Sequence, residues 1–391
     1  MHFKIQRNLL SKTMLAATLL IALPAYADEP VALISQMPAQ SAESGIAKAV
    51  DDLVMQEMSA QNVPGYALAV IKDGKLVVRR GYGFANVQTR QPVTPQTVFG
   101  LASLTKTFTA MSLLTLVDQG KVNLDDTLDM YVKGLSKPYQ KLTVRQLASM
   151  TAGVPREVSR EVDWKDQLPI LMDSPLVSEP GTDFLYSNFS YRLVGDVIQK
   201  AAGKPYFEVV RERIFGPLQM TSSGTTVELA PSGQLAQAYG DNMGKGPLRV
   251  VEYKNPAVSF SAGMLASTVD DLLRYTNAMM SGQILSPTGY QTLWYTRPAL
   301  PSGKPSNWAF GWASKTEPKY NGARVISMNG GTPGVASTII MLPEKNCAVV
   351  ALCNLRKPPV YTIARKVAAL VFAGAPAEGS QPNPESEPQG D

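Results

Sequence analysis

Strand-like segments lie near both ends of this chain, and helical patterns fill the region between them. Tyr66 to Ile71 and Lys75 to Tyr82 are joined at Asp73-Gly74, a dipeptide typical of tight hairpins. Strand patterns return at Val325 to Met328, Ala336 to Leu342 and Cys347 to Leu352. We therefore predict an α/β (α+β) fold with one antiparallel sheet of N- and C-terminal strands, flanked by helices and carrying a mostly helical inserted subdomain.

Helical patterns occupy the middle of the chain, and most of them stop at a glycine. They run from Leu101 to Gln119, Val144 to Met150, Tyr191 to Ala202 and Thr268 to Met280. No internal repeat is present, so we expect one large domain over residues 28–373. We predict a sheet subdomain of about 45–100 and 255–373 and a helical subdomain of about 101–254, with a cleft between them.

Residues 1–27 have the pattern of a secretory signal peptide. A positively charged start is followed by an apolar run from Met14 to Leu23 and a small-x-small cleavage site at Ala25-Tyr26-Ala27. The pattern predicts export. Residues 374–391 contain no aliphatic residue larger than alanine and are rich in Pro, Glu, Gly, Ser and Gln, so we expect a disordered, solvated tail.

Charge and cysteine content argue against several kinds of function. Removing the three basic residues of the leader lowers the formal charge from +5 to +2, and the remaining basic residues are scattered, so nucleic-acid binding is not indicated. No segment after the leader is long and apolar enough to span a membrane. Cys347 and Cys353 lie on one predicted strand, about 20 Å apart, which predicts free buried thiols. Because His2 is the only histidine, we expect no metal site, and no cofactor is implied.

Ser103 is the only serine with a lysine three residues later, and this Lys106 begins an apolar helical stretch. Residues i and i+3 share a helix face, so the Lys106 amine can lie against the Ser103 hydroxyl. Without a histidine beyond His2, an activated Ser103 needs lysine or tyrosine as its base. The alternative is a serine at a helix N-cap, with a solvated lysine one turn on. The apolar approach Phe99-Gly100-Leu101-Ala102 favours a desolvated amine with a lowered pKa.

Two further segments carry groups suited to this chemistry. Tyr186-Ser187-Asn188 precedes a helix predicted to start at about Ser190, which places the triplet on a loop at a helix entrance. The similar Tyr275-Thr276-Asn277 lies inside a regular helical pattern, and we interpret it as structural. Met328-Asn329-Gly330-Gly331 ends one late strand, where glycines would let a substrate approach the backbone. Taken singly, a core tyrosine and a Gly-rich turn are the alternatives.

In this order the three segments resemble the motifs of the serine β-lactamase and penicillin-binding-protein superfamily, specifically its class C-like branch. The resemblance covers about Val54 to Val371. Ser103-Leu104-Thr105-Lys106 is similar to the nucleophile motif and Tyr186-Ser187-Asn188 to the Tyr-x-Asn motif. Other stretches that match are Leu124-Asp125-Asp126, Leu142 to Leu147, Thr151-Ala152-Gly153, Pro217 to Met220, Ser261 to Met264 and Leu342 to Lys345.

The resemblance implies a role for each matching position. Ser103 would be the acylated nucleophile, Lys106 would take or relay its proton, and Tyr186 would act as general base and acid. Asn188 would hydrogen-bond the substrate's amide. The backbone N–H groups of Ser103 and Gly331 would form the oxyanion hole.

The third motif departs from the family pattern. Counting back from Leu342-Pro343-Glu344-Lys345, the family's Lys-Thr-Gly or His-Thr-Gly falls on Met328-Asn329-Gly330, so methionine replaces the usual cation. These three residues are the expected substrate-binding positions on the strand. Because the loss of one charge-assisted contact costs about 1.5–3 kcal/mol, we expect weakened recognition of a β-lactam carboxylate. Asn329 would still hydrogen-bond a ligand, but without charge.

These observations favour an exported serine hydrolase that forms an acyl-enzyme through Ser103 on an amide or ester, whether a β-lactam, a D-amino-acid peptide or an ester. Because Met328 replaces the usual cation, we favour an esterase or peptidase over an efficient β-lactamase. The alternative is a non-hydrolysing protein that binds penicillin or a cell-wall peptide. We expect a small-molecule or peptide substrate as partner, no nucleic acid, no membrane span and a monomeric chain. The class C resemblance favours a periplasmic location.

Overall fold

The computed structural model describes residues 45–157, 162–242, 245–253, 256–301, 303, 306–355 and 359–372. The predicted leader (1–27) and tail (374–391) lie outside these residues. The strands are β1 (Gly65–Lys72), β2 (Lys75–Asn86), β3 (Gln91–Pro92), β4 (Phe99–Gly100), β5 (Gly224–Thr225), β6 (Ala238–Asn242), β7 (Lys245–Val251), β8 (Leu265–Ser267), β9 (Ala313–Thr316), β10 (Arg324–Thr332), β11 (Val335–Leu342) and β12 (Cys347–Cys353).

The helices lie mostly between the two groups of strands. They are α1 (Gly45–Ala60), α2 (Thr105–Asp118), α3 (Lys137–Gln140), α4 (Val144–Ala148), α5 (Trp164–Met172), α6 (Asn188–Ala202), α7 (Tyr206–Val210), α8 (Thr226–Leu229), α9 (Pro256–Ser259), α10 (Val269–Met280), α11 (Pro287–Trp294) and α12 (Pro359–Phe372). Short 3-10 turns include Ala102–Leu104 and Phe260–Ala262, which both border the site described below. In the part of the chain that the structure describes, no helix is long and apolar enough to cross a membrane.

A seven-stranded antiparallel sheet forms the centre of the fold, in the order β3-β2-β1-β12-β11-β10-β9. β1 pairs with β2 through the predicted hairpin, and Asp73 and Gly74 both have the positive φ that a tight hairpin turn requires (50° and 75°). On its other side β1 pairs with β12, with Tyr66 opposite Cys353. The predicted sheet of early and late strands is therefore confirmed.

The central strands bury side chains on both faces of the sheet. Tyr66 and Leu68 of β1 pack with apolar residues of α1 and α12 on one face, whereas Ala67 and Ala69 belong to the core shared with the helices of the middle region. β11 and β12 are buried along their whole length, as expected for strands covered by helices on both faces. The two cysteines of β12 are free and buried, as predicted.

Two helix starts differ from their predicted positions. The helix predicted from Leu101 begins at Thr105, because a 3-10 turn precedes it. The helix predicted to start at about Ser190 begins at Asn188, because the Ser187 side chain caps it and accepts a hydrogen bond from the Ser190 N–H at 3.1 Å.

The Tyr275-Thr276-Asn277 triplet has the structural role predicted for it, whereas several strands were not predicted. Tyr275 lies within α10 and stacks fully buried on Phe108, in agreement with a structural role for that triplet. Strands β3 to β9 were not predicted. β4, β5 and β8 are two or three residues long, too short for a hydrophobic period to be detected.

Gly195 lets α6 lie directly against the Phe260–Ala262 turn. A Cβ atom on Gly195 would lie 2.1 Å from Ser261 Oγ and 2.6 Å from a ring carbon of Phe260. Ser261 is fully buried, and its hydroxyl donates to the Tyr191 carbonyl at 2.9 Å, so it cannot move aside without losing that bond. The absent side chain therefore sets the distance between α6 and this turn.

Gly195→Ala should destabilise the fold by about 1–3 kcal/mol through overpacking, even though alanine is the better helix former by about 1 kcal/mol. Gly45→Ala is the matched control, because a Cβ on Gly45 in α1 would have no neighbour within 4 Å. Urea unfolding of both variants measures the effect. A Gly195→Ala protein as stable as the unmodified chain would contradict this account of the packing.

Candidate active site

Ser103 lies on a tight turn between β4 and α2, formed by residues 101–104 and called here the nucleophile turn. Ala102 has a φ of 47°, a left-handed conformation that costs a residue with a side chain about 1–2 kcal/mol. The Leu104 N–H donates to the Leu101 carbonyl at 3.1 Å, and the Ser337 hydroxyl of β11 donates to the same carbonyl at 2.7 Å. These bonds hold the turn so that half-buried Ser103 borders an open cleft.

The Lys106 side chain is fully buried one turn along from Ser103. Its Nζ lies 3.2 Å from Ser103 Oγ, 2.8 Å from Asn188 Oδ1 and 2.9 Å from the Ala262 carbonyl oxygen. The same nitrogen lies over the Tyr186 ring, 4.9 Å from its centroid. The predicted Ser–Lys contact is present, and the alternative of a solvated lysine is wrong.

The surroundings of Lys106 favour its neutral form. Burial lowers its pKa well below the usual value, and the positive charge of Arg192 lowers it further. A neutral amine has two N–H donors and one lone pair. The oxygens of Asn188 and Ala262, at 2.8 and 2.9 Å, can take both donors, which leaves the lone pair of the neutral amine facing Ser103 Oγ at 3.2 Å, where the charged amine donates a third bond. Lys106 is therefore arranged to accept the proton of Ser103.

Tyr186 and Asn188 approach the same serine from the start of α6. Tyr186 lies in the loop before the helix, its ring edge-on to Trp308 at 5.6 Å, and Asn188 is the first helical residue. Burial raises the pKa of Tyr186 to about 12, and a hydrogen bond with Ser103 acts in the opposite direction. The phenol is therefore protonated at neutral pH and able to donate or relay a proton at Ser103.

The predicted strand end at Met328 is wrong, because β10 continues to Thr332. Gly330 lies within the strand and against the nucleophile turn, where a Cβ atom would lie 2.0 Å from a backbone carbonyl oxygen. The glycines thus serve close strand-to-turn packing rather than a turn. Gly331 follows and lines the cleft together with Ser103, so both predicted oxyanion N–H donors border the same space.

Met328 and Asn329, the first two residues of the Met328–Gly331 segment, place no charge in the cleft. Met328 is buried in the apolar core on the helical side of the sheet. Asn329 is exposed, and its side-chain oxygen accepts a hydrogen bond from Thr338 Oγ1 at 2.7 Å. Neither residue lines the cleft, so the structure does not join them to Ser103.

Three charged residues that the sequence analysis missed lie beside the site. Arg192 stands one turn along α6 from the Tyr-x-Asn motif; its Nη2 lies 3.2 Å from Glu157 Oε1, and its Nη1 donates to Gln167 Oε1 at 2.6 Å. The Arg156 guanidinium lies over the Tyr186 ring, 5.9 Å from its centroid. Helical i, i+4 spacing could have pointed to Arg192. No pattern in the sequence distinguishes Arg156 or Glu157.

A cleft with about 120 Å³ of free space joins these parts. Its walls come from the nucleophile turn, α6, the Phe260–Ala262 turn, β8 and the end of β10. The Ala262 carbonyl belongs to the Ser261–Met264 stretch, which matched the family without an assigned role.

Among the described residues, no group of three or more His, Cys, Asp or Glu could hold a metal ion. The arrangement suits nucleophilic attack by a serine hydroxyl with a lysine and a tyrosine to move its proton.

Comparison with known proteins identifies a family and a similar solved structure. The family model described as Beta-lactamase matches residues 50–373. Among solved structures, the octameric penicillin-binding protein homologue from Pyrococcus abyssi superposes with a TM-score of 0.73 at 26% sequence identity, over 83% of this chain and 77% of that one. That relative is octameric, whereas our expectation of a monomer stays a prediction.

Two curated relatives are similar over most of the chain. Protein flp of Staphylococcus aureus (strain NCTC 8325 / PS 47) is 27% identical over 322 residues, 78% of this chain and 62% of the relative. The unguisins hydrolase ungD' of Aspergillus campestris is 29% identical over 328 residues, 78% of this chain and 60% of the relative. The chain thus spans about three fifths of the length of these relatives. From the family match and the fold, the chain belongs to the Beta-lactamase family, within the serine β-lactamase and penicillin-binding-protein superfamily.

Proposed function

We propose that this protein is an exported, periplasmic serine hydrolase that forms an acyl-enzyme through Ser103 on an amide or ester substrate. The observation that carries the proposal is the buried Lys106 amine, 3.2 Å from the Ser103 hydroxyl and bound on its other sides to the oxygens of Asn188 and Ala262. Burial lowers the pKa of this amine towards the range that a general base needs, and the amine stands within hydrogen-bond reach of the proton that it would accept.

The proposed reaction has two halves. Ser103 Oγ attacks the carbonyl carbon of the substrate as its proton passes to Lys106, and the backbone N–H groups of Ser103 and Gly331 bind the resulting oxyanion. The bond to the leaving group then breaks, Tyr186 supplies the leaving group's proton, and an ester of Ser103 remains. In the second half a water molecule gives its proton to Tyr186 and attacks the ester carbon. The bond from this carbon to Ser103 Oγ then breaks, Ser103 regains its proton from Lys106, and the acid is released.

The substrate class is narrowed by the missing cation on β10. With Met328 in the apolar core and Asn329 facing away from the cleft, the strand offers no charge to a β-lactam carboxylate. We therefore place an esterase or peptidase acting on esters or D-amino-acid peptides ahead of an efficient β-lactamase. The similarity to an unguisins hydrolase supports hydrolysis by this scaffold on a substrate other than a β-lactam.

Replacing Ser103 by alanine should abolish ester turnover and covalent labelling. The measurement is intact-protein mass spectrometry with a penicillin, together with release of p-nitrophenol from p-nitrophenyl acetate. Ser112→Ala is the matched control, because this serine lies on the same helix α2 and its buried hydroxyl has no hydrogen-bond partner. Ester release that persists in Ser103→Ala would overturn the proposal. Stable labelling without any turnover would instead support the non-hydrolysing penicillin- or peptide-binding protein.

Activity should fall as the solution is acidified through the pKa of Lys106. The base must be neutral, so kcat/KM is at its plateau above this pKa and decreases below it. Because burial moves the pKa well below that of an ordinary lysine, the plateau should extend to lower pH than a solvated amine would allow. The pH dependence of kcat/KM for p-nitrophenyl acetate checks this. A rate that rises only in the range of free lysine would show that the amine is an ordinary ammonium.

Met328→Lys should destabilise the fold, because Met328 is buried in the apolar core and does not line the cleft, so the new ammonium would be an unpaired charge in apolar surroundings. Met328→Leu keeps an apolar side chain at this position and serves as the control. Urea unfolding gives the comparison. A Met328→Lys protein that keeps its stability and is acylated faster by penicillins would show that this position reaches the substrate, contrary to the structure.

A further inference from the structure

Trp308 lies against the ring of Tyr186, outside the three motifs of the active site. The centroids of the two rings are 5.6 Å apart, and the ring planes meet at 84°. This edge-to-face arrangement is one of the two geometries that aromatic pairs prefer. Phe184, on the same loop as Tyr186, packs on the same indole with the centroids 6.1 Å apart. Trp308 does not line the cleft, so its effect on the reaction passes through these neighbours.

The indole of Trp308 is itself held in one orientation. Its N–H donates to the carbonyl of Ala148, the last residue of α4, at 3.3 Å, and the Tyr191 hydroxyl donates to the same carbonyl at 2.9 Å. The rings of Trp308 and Tyr191 also meet edge-to-face, with their centroids 6.2 Å apart. The indole is buried, and the backbone N–H of Trp308 donates to Ser306 Oγ at 3.1 Å. Hydrogen bonds and packing together fix the surface that the indole presents to Tyr186.

Tyr186 depends on such contacts because its backbone lies in a loop, and α6 begins only at Asn188. The Lys106 Nζ lies over the Tyr186 ring, 4.9 Å from its centroid, and the hydroxyl at the end of the ring hydrogen-bonds with Ser103. A general acid must lie within hydrogen-bond reach of the atom that it protonates. A rotation of the ring would carry its hydroxyl away from the reacting atoms, so the rings packed around Tyr186 decide whether its proton is available.

We propose that Trp308 is a positioning residue that holds the Tyr186 phenol where it protonates the leaving group. This inference rests on the proposed function, in which Tyr186 supplies that proton. In the step concerned, the bond between the carbonyl carbon and the leaving atom breaks, the electron pair of the bond stays on the leaving atom, and the Tyr186 proton passes to it. The phenolate that remains takes a proton from water in the second half of the reaction. Without the indole, the Tyr186 ring would occupy several orientations and this transfer would slow.

A role in protonating the leaving group predicts an effect that differs between leaving groups. p-Nitrophenyl acetate and p-nitrobenzyl acetate share their acyl group and a similar ring. p-Nitrophenolate departs as a stable anion and needs no proton, whereas the alkoxide of p-nitrobenzyl alcohol must be protonated as it leaves. The value of kcat/KM includes only the steps up to the acyl-enzyme, in which this proton is transferred. Loss of the Trp308 indole should therefore slow the reaction of the p-nitrobenzyl ester selectively.

The test measures kcat/KM for both esters with the unmodified chain, Trp308→Leu, Trp308→Phe and Tyr186→Phe. The ratio of the two values is compared between proteins, so that the intrinsic reactivity of the esters cancels. Trp294→Leu is the matched control, because it also removes a buried indole, from α11, whose nitrogen has no hydrogen-bond partner among the described residues. Thermal unfolding checks that each variant is folded. If Trp308→Leu does not fold, Trp308→Met, with a more adaptable side chain, takes its place.

Trp308→Leu should lower kcat/KM for the p-nitrobenzyl ester, relative to the p-nitrophenyl ester, by about tenfold or more, which is part of the gain of about 100-fold or more that general acid catalysis typically gives. Trp308→Phe keeps an aromatic ring beside Tyr186 and should retain most of the original ratio, and Trp294→Leu should retain all of it. Tyr186→Phe sets the largest change, and adding Trp308→Leu to it should change the ratio no further, because both substitutions act on one group.

An unchanged ratio in Trp308→Leu, an equal slowing of both esters, or a further loss in the Tyr186→Phe background would overturn the inference and leave the proposed function standing. An unchanged ratio in Tyr186→Phe would overturn the acid role of Tyr186, and the inference with it. No Ser103-dependent turnover of either ester would overturn the proposed function as a whole.

Discussion

The Lys106 amine is enclosed by protein, and its hydrogen-bond partners come from three separate parts of the chain: the nucleophile turn, the first residue of α6 and the Phe260–Ala262 turn. A buried polar group is costly unless its hydrogen bonds are made, so these three elements must meet within a few tenths of an ångström. Gly195 on α6 makes the approach possible, because any side chain there would strike Ser261. The hydrogen bonds of the Lys106 amine thus require these three elements to pack closely against one another.

The same burial gives the site its chemistry. A chain whose only histidine is His2 must obtain a base near neutrality from a group whose ordinary pKa is far away. Burial lowers the pKa of Lys106, and the positive charges of Arg192 and Arg156 lower it further. Tyr186 shifts oppositely, to about 12, so one partner of Ser103 is favoured as proton acceptor and the other stays a donor. Two groups with separated pKa values can divide the tasks of base and acid.

Much of this arrangement could be predicted from local patterns. The Asp73-Gly74 hairpin, the late strands and the Ser103–Lys106 spacing are short-range signals, and the structure contains each of them. The extension of β10 past Met328 could not be predicted from the sequence. Glycines in a short sequence window favour a turn, whereas Gly330 stays in the strand because it packs against the nucleophile turn, some 230 residues earlier in the chain. Arg156 and Glu157 were missed for a similar reason. Their proximity to Tyr186 is a product of tertiary packing, and no motif or period marks them.

The most direct test of the account is the protonation state of Lys106 in the folded protein. Nitrogen-15 NMR of the lysine side chains, with Lys106 assigned by comparison with Lys106→Met, follows that one amine through a pH titration. We expect Lys106 to titrate well below the range of the other lysines, because burial disfavours its charged form. An ammonium signal for Lys106 that persists until the other lysines titrate would contradict the claim that burial makes this residue the base for Ser103.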